Sequence, residues 1–172
     1  MDARAQVSGD HRVLAGLRGD GAGRLLYGAS RYLLVRPETL VALQKAVEAA
    51  LGARAAECLA AGGRAGGGSA LRTLGGAAEE VVGRLLAMGG EIGWGRFTLE
   101  RLTPDALVVR VESSPFAEAY GPAAGPVCHL TRGVLERLAE LALGRPVAAV
   151  ETACVAAGAP ACRFEARPRA AP

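Results

Sequence analysis

The sequence predicts an α+β fold: a helical N-terminal half followed by a β-β-α-β-β unit with an antiparallel sheet. Three observations carry that reading. Apolar residues between positions 37 and 88 recur at helical spacing. From Trp94 onward the pattern turns to short β-prone runs, and one further helix separates two pairs of them.

Residues 1–12 are polar and are read as loose. "RLLYGASRYLLVRP" (24–37) holds two apolar runs split by Gly28-Ala-Ser30; each is read as a strand, with Pro37 ending the second. Pro37 then opens a helix to about residue 51, with Leu40, Leu43, Val47 and Leu51 as its apolar face. A second helical stretch passes through Cys58 and ends in "AGGRAGGGSA". That run has no Gly-Lys-Ser/Thr and is no phosphate loop; it is either a flexible connector or a close helix crossing. A third helix is expected over 70–88, with Leu71, Leu74, Val81, Val82, Leu85 and Met88 apolar.

"GWGRFTLERL" and "DALVVRVESSPF" follow as strands around a Pro104-Asp105 turn. "PVCHLTRGVLERLAELALG" is a helix with Leu130, Val134, Leu138 and Leu141 on one face, closed by Gly144 and barred from continuing by Pro146. "PVAAVETACVAAG" and "ACRFEARP" form the last strand pair around Gly158-Ala-Pro160.

Composition narrows the function. Hydrophobic residues at 51% and charged residues at 22% suit a globular domain. A net charge of +3 forms no basic block, so no nucleic-acid partner is expected. No apolar run reaches the ~18 residues a membrane span needs, and the N-terminus lacks a signal-peptide pattern. A cytoplasmic location follows as an expectation, in which clustered cysteines point to metal or redox chemistry more than to a disulfide.

Cys128 opens its helix, and Glu151, Cys154 and Cys162 belong to the last hairpin. Three thiolates and a carboxylate would fill a tetrahedral zinc shell with no open position, which is a structural site and not a catalytic one. A Cys154–Cys162 disulfide and plain buried thiols are the alternatives on spacing alone. His129 lies about 100° around the helix from Cys128 and is read as facing solvent or a pocket mouth. Cys58 is read as core. Glu79, Glu80, Glu136 and Glu140, beside Arg84 and Arg137, are read as solvated ion pairs and not as acid–base pairs. No nucleophile, base and orienting acid stand together, and Cys128 beside His129 is a weak nucleophile reading if its sulfur binds a metal.

The runs "GWGRF", "VESSPFAEAY", "PVCHLTRGVLERLAEL" and "ETACVAAGAPACRFE" resemble the 4-vinyl-reductase-like, or hydrocarbon-binding, domain. It occurs in bacteriochlorophyll-synthesis-associated proteins and in the sensor halves of aromatic-hydrocarbon-responsive activators. The resemblance spans about 20–168, making these residues one domain and 1–19 a loose N-terminal segment. The separations of 23, 3 and 8 residues from Cys128 through Glu151 and Cys154 to Cys162 agree with the zinc-ligand pattern of the sensors. The resemblance also implies a fold similar to the nitric-oxide-sensing and Golgi-transport ligand-binding domains, a homodimer, and an apolar ligand cavity.

Trp94, Phe116 and Tyr120 are the pocket residues expected here, and Phe97 is read as core. The sensors fix a phenol hydroxyl with an aromatic residue and a histidine. No histidine stands at that place, since the two in this chain are His11 and His129, which points to a larger or more apolar ligand. The function expected is a non-catalytic, zinc-stabilised module that binds an apolar small molecule as sensor or carrier. A role in tetrapyrrole metabolism, as vinyl reductase or substrate carrier, is the alternative; no dinucleotide fingerprint or iron–sulfur spacing supports the reductase. A scaffold with a vestigial pocket is the third.

Overall fold

The computed structural model describes residues 13–71 and 77–169. Its first elements are a helical turn, α1 (Val13–Gly16), and a small antiparallel meander of β1 (Arg18–Gly19), β2 (Leu25–Tyr27) and β3 (Ser30–Tyr32). Of the segment 1–19 read as loose, residues 1–12 lie outside the described residues. The second apolar run stops pairing earlier than expected. Tyr32 already faces Leu25, the first residue of β2, so Leu33 and Leu34 have no strand partner there and stand exposed.

Helix α2 (Pro37–Leu51) begins at its proline, as the sequence implies. Its buried face is rotated from the apolar one expected, because Val41 and Gln44 are buried and Leu43 is exposed. The reason is polar. Gln44 Nε2 donates to the Val127 carbonyl at 2.9 Å and to Glu48 Oε1 at 2.9 Å, so the helix docks through hydrogen bonds as well as apolar contact. A single 3₁₀ turn (Gly52–Arg54) leads into α3 (Ala55–Leu71), which runs straight through the glycine-rich run.

That run is a close helix crossing. α3 packs along α6 (His129–Leu143), and a Cβ on Gly63 would collide with the Leu130 carbonyl oxygen. Reciprocally, a Cβ on Gly133 would collide with the Ala60 carbonyl oxygen. Glycine on both helices lets two backbones approach as no side chain could. The helix expected over 70–88 is found as α4 (Ala78–Glu91); residues 72–76, with Leu74, lie outside the described residues.

Four antiparallel strands complete the fold: β4 (Arg96–Thr103), β5 (Ala106–Glu112), β6 (Val147–Ala153) and β7 (Cys162–Pro168), in the order β4-β5-β7-β6. Between β5 and β6 the chain makes a short helix, α5 (Pro115–Tyr120), then α6, which packs on β5, β6 and β7. The strand expected to reach Phe116 ends at Glu112, because Ser113 takes a φ of 53° and Ser114-Pro115 starts α5. α6 therefore buries two faces. Leu130 and Val134 lie against the glycines of α3, while Leu135 and Leu138 enter the sheet-side core with Val109, Val111 and Phe164. Leu141, expected on the apolar face, is exposed.

Two glycines in α3 and α6 separate packing from propensity. Gly133→Ala is expected to destabilise the domain by about 3 kcal/mol, at the upper end of overpacking costs. Gly66→Ala, where a Cβ meets no atom within 4 Å, is expected to stabilise it by about 1 kcal/mol through helix propensity. Denaturant melts of the two variants check both signs.

Candidate metal centre

The end of the four-stranded sheet nearest the start of α6 gathers the reactive side chains. β6 alternates buried and exposed, so Val147, Ala149 and Glu151 all point inward. A bulge between Glu151 and Ala153 then bends the strand before Cys154. Cys154 leads into a 3₁₀ turn (Val155–Ala157), where its carbonyl accepts from the amides of Ala157 and Ala159 and Gly158 adopts a left-handed φ of 90°. β7 starts at Cys162, opposite Val111 of β5. Cys128 stands immediately before α6.

These elements bring Cys128, Glu151, Cys154 and Cys162 together, all buried, with one donor atom of each within 4.8 Å of the others. The sulfurs of Cys128 and Cys162 are 3.7 Å apart, and the four described cysteines form no disulfide. A tetrahedral ion bound to thiolates at about 2.3 Å holds sulfurs about 3.8 Å apart, so this separation already matches such a shell. Glu151 is the more telling member. Its Oε2 accepts from the Cys128 amide at 2.9 Å, while its Oε1 is buried without a hydrogen-bond partner. A buried carboxylate oxygen with nothing to bind is costly, and a cation among the sulfurs would satisfy it. The donor set can hold a metal ion.

Electrostatics shape the thiols. The Cys128 thiol is pushed up by its hydrogen bond to Cys162, by burial and by the Glu151 charge. Burial, foremost, raises Cys154 to about 11. Cys162 is lowered, by its hydrogen bond with the Cys128 sulfur foremost and by the Val155 amide, which donates to it.

His129 is half-buried; its Nε2 lies 4.0 Å from Glu48 Oε1 on α2. Burial lowers its pKa. Cys58, expected in the core, is exposed. The buried face of α3 runs through Ala60 and Gly63, and Cys58 lies about 200° around the helix from Ala60. Glu136 also departs from the solvated pair expected. It is buried, accepting from Arg64 at 2.7 Å and Arg169 at 3.0 Å, whereas Glu140 pairs with Arg137 at 3.1 Å and Glu80 lies 4.0 Å from Arg84.

The aromatic residues surround α5. Phe116 is buried and meets Trp94 edge to face, centroids 5.2 Å apart. Phe97 packs partly buried against the same core. The Tyr120 hydroxyl donates to Glu48 Oε2 at 2.7 Å, and Lys45 Nζ sits 4.4 Å above its ring. An open cleft of about 540 Å³ is lined by Leu86, Ala87, Gly93, Gly95, Arg96 and Phe97; Phe97, read as core, lines it, and the expected pocket residues Trp94, Phe116 and Tyr120 do not. Ser114, unnoticed in the sequence, is buried with its Oγ 3.3 Å from Cys128 Sγ. The Ser-Pro pair, a helix-start signature, was the available signal.

The fold has known counterparts. Residues 107–168 match the V4R domain. The matched segment runs from β5 to the end of β7 and contains all four candidate ligands. The resemblance read in the sequence therefore holds.

The phenol-responsive sensory domain of the transcription activator PoxR, solved with phenol, is similar over 91% of this chain and 86% of its own, at a TM-score of 0.78 and 22% identity. A vinyl-4-reductase family protein from Methanocaldococcus jannaschii aligns over 81% of this chain and 83% of its own, at a TM-score of 0.53 and 15% identity. At those identities the likeness is one of fold. The bacteriochlorophyll synthase 23 kDa chain of Cereibacter sphaeroides is 52% identical over 44 residues, covering 26% of this chain and 21% of that protein.

The two oxygens of Glu151 make a separable test. Glu151→Ala is expected to destabilise the metal-free domain by about 2 kcal/mol, since it orphans the Cys128 amide. Glu151→Gln keeps an acceptor for that amide, so chelator-treated protein should melt near wild type while metal affinity falls at least tenfold. Melts with and without chelator, with metal titrations, distinguish the two.

Proposed function

We propose that this domain is a zinc-stabilised binding module for an apolar small molecule, acting as a sensor or carrier, and that it works as a homodimer. The observation that carries the reading is the buried set of three thiols and a carboxylate whose Oε1 has no protein partner. Three sulfurs and one oxygen suit zinc better than the hard, oxygen-seeking cations. With four protein donors no position is left for water, so the ion supplies cross-linking and no hydrolytic chemistry. Cys128, Glu151, Cys154 and Cys162 would hold it, joining α6 to the last hairpin.

Support for a small-molecule ligand comes from the fold shared with a domain solved with phenol. Two places offer apolar surface for it: the Trp94–Phe116 pair, and the separate open cleft lined in part by Leu86, Ala87 and Phe97. Tyr120 already spends its hydroxyl on Glu48, which favours an apolar ligand over a phenol at that position. Among the described residues no helix is long and apolar enough to cross a membrane.

A second reading, carriage of a tetrapyrrole, is favoured by the 44 residues shared with the bacteriochlorophyll synthase chain. Native mass spectrometry and metal analysis on one untreated sample test both readings. About one zinc per chain with an apolar adduct is the expected result; a coloured, tetrapyrrole-sized adduct would favour carriage. Less than one zinc per chain in protein never exposed to chelator, with Cys154 and Cys162 oxidised, would sink the zinc reading. Cys154→Ser is expected to release the metal and lower the Tm by more than 10 °C, since loss of a structural metal is among the largest single-site effects; an unchanged melting curve would mean that the site is not structural.

A further inference from the structure

We propose that Ser114 is the positioning residue that ties the Cys128 ligand to α5 and, through α5, to the Trp94–Phe116 ring pair. The inference rests on the metal reading above and goes beyond it by assigning a residue outside the donor set. Ser114 is buried, with its Oγ 3.3 Å from Cys128 Sγ. The same oxygen accepts from the Ala117 amide at 3.5 Å, capping the first turn of α5. A hydroxyl has one hydrogen and two lone pairs. A metal-bound thiolate has no hydrogen to give, so Ser114 must donate to Cys128 while accepting from Ala117. One side chain then fixes both the sulfur and the start of the helix.

α5 is held at its far end too. The Ala123 amide, just beyond the helix, donates to the Ala156 carbonyl at 2.8 Å, in the turn that follows Cys154. The helix is thus bracketed by the segments carrying Cys128 and Cys154. Two residues into it, Phe116 meets Trp94. Gly95, next to that tryptophan, sits so close to the strand end that a Cβ would lie 2.8 Å from the Glu112 carbonyl oxygen and 3.1 Å from that of Ser113. Between sulfur and indole there is one hydrogen bond, one short helix and one ring contact. Occupancy of the metal site and the setting of the aromatic pair are therefore coupled, and the coupling works equally in both directions.

The chain has a single tryptophan, Trp94, so its emission reports this pair without ambiguity. Cobalt, bound by the same donors, gives a thiolate-to-metal absorption band as a second readout. In wild type, removing the metal should shift Trp94 emission. Ser114→Gly keeps a residue tolerated at a helix cap but has no hydroxyl. It should lose more than half of that shift and move the cobalt–thiolate band to longer wavelength, because an unbonded thiolate is a better electron donor. Ser114→Thr should restore both.

A Ser114→Gly protein with the wild-type band and the full emission shift overturns the proposal. So does a wild type whose Trp94 emission ignores metal removal, a result that requires no variant to fold. Failure to bind cobalt at all would instead overturn the metal reading, and this inference with it, and is told apart by the missing thiolate band.

Discussion

Everything at the working end of this domain depends on one buried carboxylate. Glu151 reaches inward because β6 alternates, and its Oε2 takes the amide that precedes α6. That hydrogen bond ties the start of α6 to β6, beside the β5–β7 pairing that joins the two strand pairs of the β-β-α-β-β unit. A buried charge satisfied on one side alone is an unstable arrangement. With three sulfurs around its free oxygen, the same residue that docks α6 also completes a donor set that could hold a cation.

The helix so anchored is clamped across its width as well. Gly133 and Gly63 let α6 and α3 approach backbone to backbone, and Leu135 and Leu138 pack into the sheet on the opposite side. Glu136, lying between Arg64 of α3 and Arg169 beyond β7, ties the same three layers together at a point remote from the cysteines. α6 is fixed at its start by the Glu151 contact and along its length by these layers. Any movement in response to a ligand must therefore fall on thinner parts of the structure, of which α5 is the most conspicuous.

How much of this could be read from the sequence depended on whether the deciding interaction was apolar and periodic or polar and tertiary. The strand pairs around Pro104-Asp105 and Gly158-Ala-Pro160 were legible because alternation and turn residues agree there. The four-residue cluster was legible because its spacing survives as a pattern of unusual residues. The buried face of α2 was not. Gln44 and Glu48 look like solvent residues until Val127 and Tyr120, far along the chain, meet them. Cys58 misled for the opposite reason, since a small apolar residue type says nothing of which side of α3 it occupies. The glycine-rich run left two readings open, and only the carbonyl groups of Leu130 and Ala60 decide for a helix crossing. α5 was missed because six residues are too few to show a period, although Ser114-Pro115 marks its start.

That short helix is where the separate constraints meet. Its first residue follows a serine bonded to Cys128, its second is the ring that faces Trp94, and its last gives a hydroxyl to Glu48 on α2. A six-residue helix has too few internal hydrogen bonds to stand alone, so its position is set by these outside partners and not by its own sequence. A wall built that way is stable only while all its partners are in place. If the domain binds as proposed, an element with little stability of its own would register either a metal ion on one side or a ligand against its aromatic ring on the other. The four-stranded sheet and α6 supply the rigidity, and α5 is the element whose place is set by its outside partners.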